Sequence, residues 1–153
     1  MAYTFSILLL HGITKILIME ITNLELFFFE KALNDATNDL RTSKVKDLSL
    51  NVLVFRNLKI ISELCDTYRK EIDAFMPDRL RELNQKADMS TDEIEEKSSL
   101  SKEYNSEVNL FLNKKTNIEF YKGDVSPSAL NGVEVNYDSS AVIGFLLGHD
   151  EKK

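Results

Sequence analysis

The sequence predicts a helix-dominated α+β fold, in which two to three long antiparallel helices pack together and a small C-terminal β-hairpin lies against one end. Apolar residues recur at alternating intervals of four and three in the middle of the chain, which predicts a long helix with a helical partner. Helix-start signals at Thr22 and Ser90 precede further apolar stretches of helical period. After Lys115 the apolar period changes to two, the period of a β-strand.

The first helix begins at a capping box formed by Thr22 and Glu25. The Thr22 hydroxyl can accept a hydrogen bond from the first turn, while the Glu25 carboxylate reaches back to the backbone of Thr22. We expect this helix over residues 23–41. Its apolar positions fall on one helical face and are Leu26, Phe29, Leu33, Ala36 and Leu40.

The second predicted helix has the longest run of regularly spaced apolar residues in the chain. Its apolar stripe has heptad spacing and consists of Val54, Leu58, Ile61, Cys65, Tyr68, Ile72 and Phe75. Such a stripe requires a helical partner, either in the same chain or in a second copy, and the spacing leaves both open. Pro77 removes a backbone donor and disfavours helical geometry at Met76, so the helix ends or kinks there. The polar segment 78–86 is expected to project into solvent.

A second capping box, Ser90 with Glu93, opens a third helix that runs to about residue 113. Two short strands follow, the first at 118–120 and the second at 133–137, and nine residues at 124–132 connect them. This connection is too long for a tight hairpin turn, so it does not set the register. The last element, at 139–147, is either a short helix capped by Asp138 or a third strand.

The domain organisation has two parts. Residues 1–18 form either an apolar N-terminal extension or a small hairpin closed by His11 and Gly12. Residues 19–153 form a single helical domain with the β-hairpin at its C-terminal end. Because Met19 stands just before the first helix-start signal, translation from Met19 and translation from residue 1 are both open.

Composition places the chain among globular proteins that bind neither nucleic acid nor membranes. Its 153 residues carry 25 acidic and 19 basic side chains, a net charge of −6. Affinity for DNA or RNA comes largely from neutralising phosphates with Lys and Arg, so this balance argues against direct nucleic-acid binding. The N-terminal apolar run is shorter than the ~20 residues of a membrane span and lacks the positive start of a secretory signal. The single cysteine, Cys65, allows no intramolecular disulfide, and we therefore expect a reducing, cytoplasmic location.

The residues offer no group suited to catalysis, so we expect no enzyme activity, no metal and no cofactor. The sequence contains no glycine-rich phosphate loop, zinc-protease helix or calcium loop. Cys65 falls on the apolar stripe of the second helix, where a buried and inert thiol is expected. His11 stands beside a glycine and His149 in a polar tail, positions typical of turn and tail residues. The alternative, a small hydrolase or nuclease, would need clustered acids that bind Mg²⁺.

Two groups of residues are candidates for binding a protein partner. The segment 87–107 holds seven acids and two lysines. Acids at these positions stabilise the N-terminus of a helix. They also offer a negatively charged face that could mimic phosphate and dock on a basic groove of a partner. Three consecutive phenylalanines at 27–29 span about 200° of a helix, so at least one of them faces away from the main core. The predicted partner-binding residues are Asp92, Glu93, Glu95, Glu96, Glu103, Phe27 and Phe28.

Several short segments, taken in order, carry a family resemblance. They are Met19-Glu-Ile-Thr-Asn-Leu-Glu-Leu26, Phe27-Phe28-Phe29, Phe55-Arg-Asn-Leu-Lys-Ile-Ile61, Tyr68-Arg-Lys-Glu-Ile72, Tyr104-Asn-Ser-Glu-Val108 and Asn117-Ile-Glu-Phe120. In this order they resemble a family of small uncharacterised accessory proteins encoded by tailed phages of low-GC Gram-positive bacteria. The resemblance covers residues 19–147 and consists of helix-face patterns without a chemical motif. It implies a phage accessory protein that works inside the infected cell, and it supplies no catalytic residues.

Two functional hypotheses follow from these residues and this resemblance. The first is a non-catalytic inhibitor that docks on a host protein, such as a defence effector, through the acidic helix. The second is a virion-assembly chaperone or minor structural protein, with the heptad stripe or the phenylalanines as its client or self-association surface. The second hypothesis predicts a homo-oligomer.

Overall fold

Five helices and a two-stranded sheet make up the described part of the chain. The structure is a computed structural model, and it describes residues 14–43, 48–123 and 137–147. The predicted class, a helix-dominated α+β fold, is confirmed, with more helices than expected. In chain order the elements are β1 (Thr14–Thr22), α1 (Asn23–Thr42), α2 (Leu48–Ala74), α3 (Asp78–Gln85), α4 (Thr91–Asn113), β2 (Lys115–Gly123) and α5 (Tyr137–Leu146).

The sheet joins a strand that precedes the helices to a strand that follows α4. β1 and β2 run antiparallel and pair over nine residues each. Met19 lies opposite Ile118 and Leu17 opposite Phe120, and these side chains pack into the core. An isolated two-stranded hairpin is marginal in water, so the burial of this face against the helices is what stabilises the sheet.

The sheet pairs β2 with a strand that was not predicted. The strand around Ile118 and Phe120 is present as β2, and its partner among the described residues is β1. Residues 133–136 lie outside the described part of the chain, and Tyr137 begins α5. A period of two identifies a strand, but it carries no information about which strand lies beside it.

β1 crosses the boundary that the sequence suggested between residues 18 and 19. Pairing with β2 places residues 14–18 in the same sheet as residues 19–22. The turn expected at His11 and Gly12 lies outside the described residues.

α1 begins at the predicted capping box and packs antiparallel to α2. The Thr22 backbone N–H donates to Glu25 Oε2 at 2.7 Å, and the Glu25 N–H donates to Thr22 Oγ1 at 3.1 Å. Near the start of α1, the Leu26 carbonyl accepts a hydrogen bond from the Cys65 thiol of α2 at 3.9 Å. Near its end, Leu40 lines the same groove as Val52 from the start of α2, so the two helices run in opposite directions.

The heptad stripe of α2 packs within the chain. Ile61 and Cys65 are buried in the core that α2 shares with α1. Farther along α2, the rings of Tyr68 and Phe75 contact Phe111 of α4 edge-to-face, with centroid separations of 5.2 and 5.6 Å. The partner of the stripe is therefore intramolecular, and the stripe does not form a client or self-association surface.

Pro77 separates α2 from α3, as predicted, and α3 begins at Asp78. The expectation that 78–86 projects into solvent is wrong for two side chains. Leu80 and Leu83 are 2% and 1% exposed, and α3 packs against α4. Two leucines three residues apart share one face of a helix, which is enough to bury that face even in a polar segment.

The C-terminal element is a helix, so the alternative of a third strand is wrong. α5 begins at Tyr137, two residues before the expected start, and Asp138 therefore lies inside the first turn and not at the cap. Ile143 and Leu146 are buried, and α5 packs against both α1 and β2.

One polar side chain of α2 closes the outer edge of β2. Asn57 Oδ1 accepts from the Tyr121 N–H at 2.8 Å, and Asn57 Nδ2 donates to the Tyr121 carbonyl at 2.9 Å. The same Nδ2 donates to the Leu53 carbonyl at 2.9 Å. A strand edge presents unpaired backbone groups, and here a buried side-chain amide satisfies them as a neighbouring strand would.

Candidate functional site

α4 carries the predicted acidic residues and is anchored at its C-terminal end. The Asn23 backbone N–H donates to the Lys114 carbonyl at 3.0 Å, and Asn23 Nδ2 donates to the Phe111 carbonyl at 2.9 Å. Both carbonyls lie at the end of α4, where a helix provides no N–H four residues on to bond them. α4 is described over its whole length, and none of its side chains is buried. The helix therefore presents a long accessible surface.

Two of the five predicted acids hold α3 against α4. The Lys86 ammonium pairs with Glu93, and the Arg79 guanidinium donates from Nη2 to Glu96 Oε2 at 2.9 Å. Glu93 also forms the predicted capping box, because its carboxylate accepts from the Ser90 N–H at 3.0 Å. The hydrogen bond from Lys86, followed by that from Ser90, lowers the pKa of Glu93. The hydrogen bond from Arg79 likewise lowers the pKa of Glu96, so both carboxylates are charged and paired.

The other three acids face solvent. Asp92, Glu95 and Glu103 are exposed, and none of them forms an ion pair with a described residue. At about 100° per residue, the three lie within about 80° of the helix circumference. The predicted group of five acids is therefore two sets, one that joins helices and one that forms an unpaired acidic face. We call Asp92, Glu95 and Glu103 the acidic face.

The three consecutive phenylalanines point in different directions. Phe27 is partly buried, and the Arg69 guanidinium lies 5.3 Å from the centre of its ring. Phe29 packs between Phe120 and Phe145, with ring centroids 5.2 and 5.6 Å away. Phe28 is 63% exposed, so it is the phenylalanine that faces away from the core.

Phe28 lines an apolar groove between α1 and α5. The groove has a volume of 420 Å³, and its walls include Phe29, Ala32, Val142 and Phe145. Concave apolar surfaces of this size are common binding sites for a ligand or for a side chain of a partner. We call it the α1/α5 groove.

An ion pair between α1 and α2 was not predicted from the sequence. Glu30 is only 8% exposed, and Arg69 donates to both of its carboxylate oxygens. These hydrogen bonds raise the pKa of Arg69. The available signal was the position of Glu30 on the apolar face between Leu26 and Leu33, since a buried carboxylate requires a partner.

Cys65 is buried and carries a free thiol, as predicted. Burial, and then the nearby Glu30 carboxylate, raises the pKa of Cys65 to about 12. The thiol therefore stays protonated at neutral pH, and the protonated form is a poor nucleophile. Its position in the core gives it a packing role.

The structure tests the remaining candidates for chemistry only within the described part of the chain. His11 and His149 lie outside it. Within residues 14–43, 48–123 and 137–147, no three His, Cys, Asp or Glu side chains lie close enough together to hold a metal ion. Over these same ranges, no helix combines the length and apolar character needed to cross a bilayer. Comparison with known proteins found no match to the chain among protein-family models, curated proteins or solved structures.

Proposed function

We propose that this protein is a non-catalytic protein-binding protein, a phage accessory protein that docks on a host protein in the cytoplasm of the infected cell and inhibits it. The acidic face of α4 is the docking surface in this proposal. Its partner carries a basic groove of the kind that otherwise binds phosphate groups, and a defence effector that handles nucleic acid has such a groove.

The observation that supports this proposal is the division of the α4 carboxylates into two sets. Glu96 is neutralised by Arg79 of α3 and Glu93 by Lys86, the residue that caps α3, whereas Asp92, Glu95 and Glu103 are exposed and form no ion pair with a described residue. Unpaired carboxylates at fixed spacing on a helix create a negative field that steers a basic partner and fixes its orientation. Paired carboxylates contribute much less, because the neighbouring cation cancels their field.

The test begins with affinity capture of partners from phage-infected cells and continues with one purified partner. The triple variant Asp92→Lys, Glu95→Lys and Glu103→Lys should weaken its binding at least tenfold and reduce the dependence of the affinity on salt. Calorimetry at low and high salt measures both effects.

A matched control separates the effect of the acidic face on binding from the effect of the overall net charge. The triple variant Glu63→Lys, Glu71→Lys and Glu119→Lys makes the same change in net charge at exposed acids outside α4, and it should leave the affinity within about twofold. Equal losses in the two variants, or no loss in the α4 variant, would contradict the proposal.

The α1/α5 groove favours a second candidate function, a virion-assembly chaperone or minor structural protein. In this alternative the groove, with Phe28 at its rim, receives an apolar side chain of a capsid or tail protein. Capture of a virion protein that is lost in Phe28→Ser and kept in the acidic-face variant would favour it. Capture that does not depend on Phe28 would count against it.

A further inference from the structure

α2 carries a second apolar stripe on a face that does not contribute to the core. Leu48, Val52 and Phe55 are 78%, 56% and 60% exposed. Their spacing of four and three places them on one face of the helix. Exposed apolar side chains that are contiguous typically mark an interaction surface.

Val52 and Phe55 line a groove between the end of α1 and the start of α2. The groove has a volume of 750 Å³, and its rim carries Arg41, Arg56 and Lys59. Among the described residues, no acid lines the groove, and none of the three cations forms an ion pair with a described residue. We call it the α1/α2 groove.

The position of one rim cation is fixed by the sheet. The Arg56 guanidinium lies 3.8 Å from the centre of the Tyr121 ring. A stacked guanidinium loses less conformational entropy when it pairs with a carboxylate, because its orientation is already restricted. The α1/α2 groove is therefore a positively charged apolar site in a chain whose net charge is −6.

The same chain carries a surface of complementary chemistry on α4. Glu103 and Glu107 are exposed, and Leu110 is 74% exposed. Their spacing of four and three places two carboxylates and one apolar side chain on one side of the helix. Neither carboxylate forms an ion pair with a described residue.

The two surfaces have the same length along their helices, so their end residues coincide when the helices run antiparallel. Val52, Arg56 and Lys59 on α2 follow the intervals four and three, and Glu103, Glu107 and Leu110 on α4 do the same. Each set spans about 10.5 Å along its helix axis. When Leu110 lies opposite Val52, Glu103 lies opposite Lys59. Glu107 is then offset from Arg56 by one residue, about 1.5 Å along the axis, a distance that the long arginine side chain spans.

We propose that the α1/α2 groove receives the Glu103, Glu107 and Leu110 face of α4 from a second copy of this chain. The contact is heterologous, because the two surfaces that meet are different parts of the molecule. Repetition of the contact closes a ring or a reciprocal dimer, or it extends into a filament. The contact does not depend on the proposed docking of a host protein.

The test uses two variants that each remove one surface with helix-compatible, uncharged side chains. Val52→Gln with Lys59→Gln removes the groove, and Glu107→Gln with Leu110→Gln removes the α4 surface. All four side chains are exposed, so both variants should keep the helix content and melting temperature of the wild type. Sedimentation velocity from about 1 µM to about 1 mM then follows the oligomeric state.

We expect the wild type to gain mass with concentration and each variant to remain monomeric over the same range. An equimolar mixture of the two variants should form dimers and nothing larger, because it contains only one intact pair of surfaces. The control Glu71→Gln with Ile94→Gln changes one exposed carboxylate and one exposed apolar side chain elsewhere, and it should assemble like the wild type.

A wild type that stays monomeric to the highest concentration would overturn the proposal, as would assembly that both variants retain. Binding of a short single-stranded DNA by a monomeric wild type, lost in the groove variant, would assign the α1/α2 groove to phosphate and would also overturn it.

Discussion

The link between α2 and the sheet depends on the side chain of Asn57, and its replacement by leucine should be destabilising. Leucine has the same branching and the same number of heavy atoms as asparagine, so Asn57→Leu removes the hydrogen bonds without opening a cavity. The Tyr121 N–H and carbonyl lose their partners, because α2 covers this edge of β2 and the two groups are only partly accessible to water.

The size of the effect follows from the groups that lose their partners. An unsatisfied buried donor or acceptor costs about 1–3 kcal/mol, and the partial exposure of Tyr121 favours the lower half of that range. Two such groups cost about 2–4 kcal/mol together, and burial of the leucine side chain recovers about 1.5 kcal/mol or more, which leaves a loss of about 1–2 kcal/mol in the free energy of unfolding. For a chain of this length the melting temperature should fall by about 3–6 °C.

Urea unfolding followed by circular dichroism measures this loss. Asn38→Leu is the matched control, since Asn38 is exposed on α1, and its cost should stay within about 0.5 kcal/mol. The reasoning would be refuted by a loss below about 1 kcal/mol for Asn57→Leu, or by equal losses in the two variants.

Three further predictions test the packing around the helices. The Cys65 thiol should react with a disulfide reagent at pH 8 only as fast as the protein unfolds, because it is buried with its pKa raised to about 12; rapid reaction of the folded protein would contradict this. The low pKa values of Glu93 and Glu96 mean that the unfolded state binds protons at higher pH than the folded state. The stability they add is therefore present above their ordinary pKa of about 4 and is lost as the pH falls through the folded values, and acid titration should show a shallower loss for Glu93→Gln with Glu96→Gln. Arg69→Gln should lower the free energy of unfolding in urea by about 1–2 kcal/mol. The loss is smaller than for a fully buried ion pair because Arg69 is half-exposed, and an unchanged unfolding midpoint would exclude a stabilising role for its pair with Glu30.

Helix boundaries could be predicted because their signals are local. The capping boxes at Thr22 and Ser90 mark the starts of α1 and α4 to the residue, and Pro77 marks the end of α2. Each signal needs only residues within one helical turn. The apolar stripe of α2 could also be predicted from the sequence. Its partner could not, since heptad spacing is the same for packing within a chain and between chains.

The pairing of the sheet and the polar contact that closes it could not be predicted in this way. β1 and β2 are separated by four helices, and no turn residues link them. Asn57 and Tyr121 are 64 positions apart in the sequence. A single sequence shows an asparagine on a helical face, and only the folded chain shows which backbone groups it satisfies.

The candidate site was predicted as one acidic surface, and the structure divides it. The division comes from α3, whose leucines Leu80 and Leu83 are buried. Arg79 of α3 and Lys86 at its C-terminal cap pair with α4. The sequence of α3 is mostly polar, so its packing was not expected. Which acids are available for a partner was therefore decided by a neighbouring helix and not by α4 itself.

Glu103 belongs to the acidic face and also to the α4 surface that is proposed to meet the α1/α2 groove. Asp92, Glu103 and Leu110 lie on the same side of α4, at intervals of eleven and seven residues, so a host protein and a second copy of the chain cannot both cover Glu103. Binding of the host protein should therefore dissociate the self-assembled form.

Sedimentation velocity at a concentration where the wild type assembles measures this competition. Addition of an excess of the captured partner should replace the larger species with a one-to-one complex, and the apparent affinity for the partner should fall as the concentration of the protein rises. In the Val52→Gln, Lys59→Gln variant, which lacks the groove, that affinity should not depend on protein concentration. A partner that adds to the assembled wild type without changing its size would show that the two surfaces are separate.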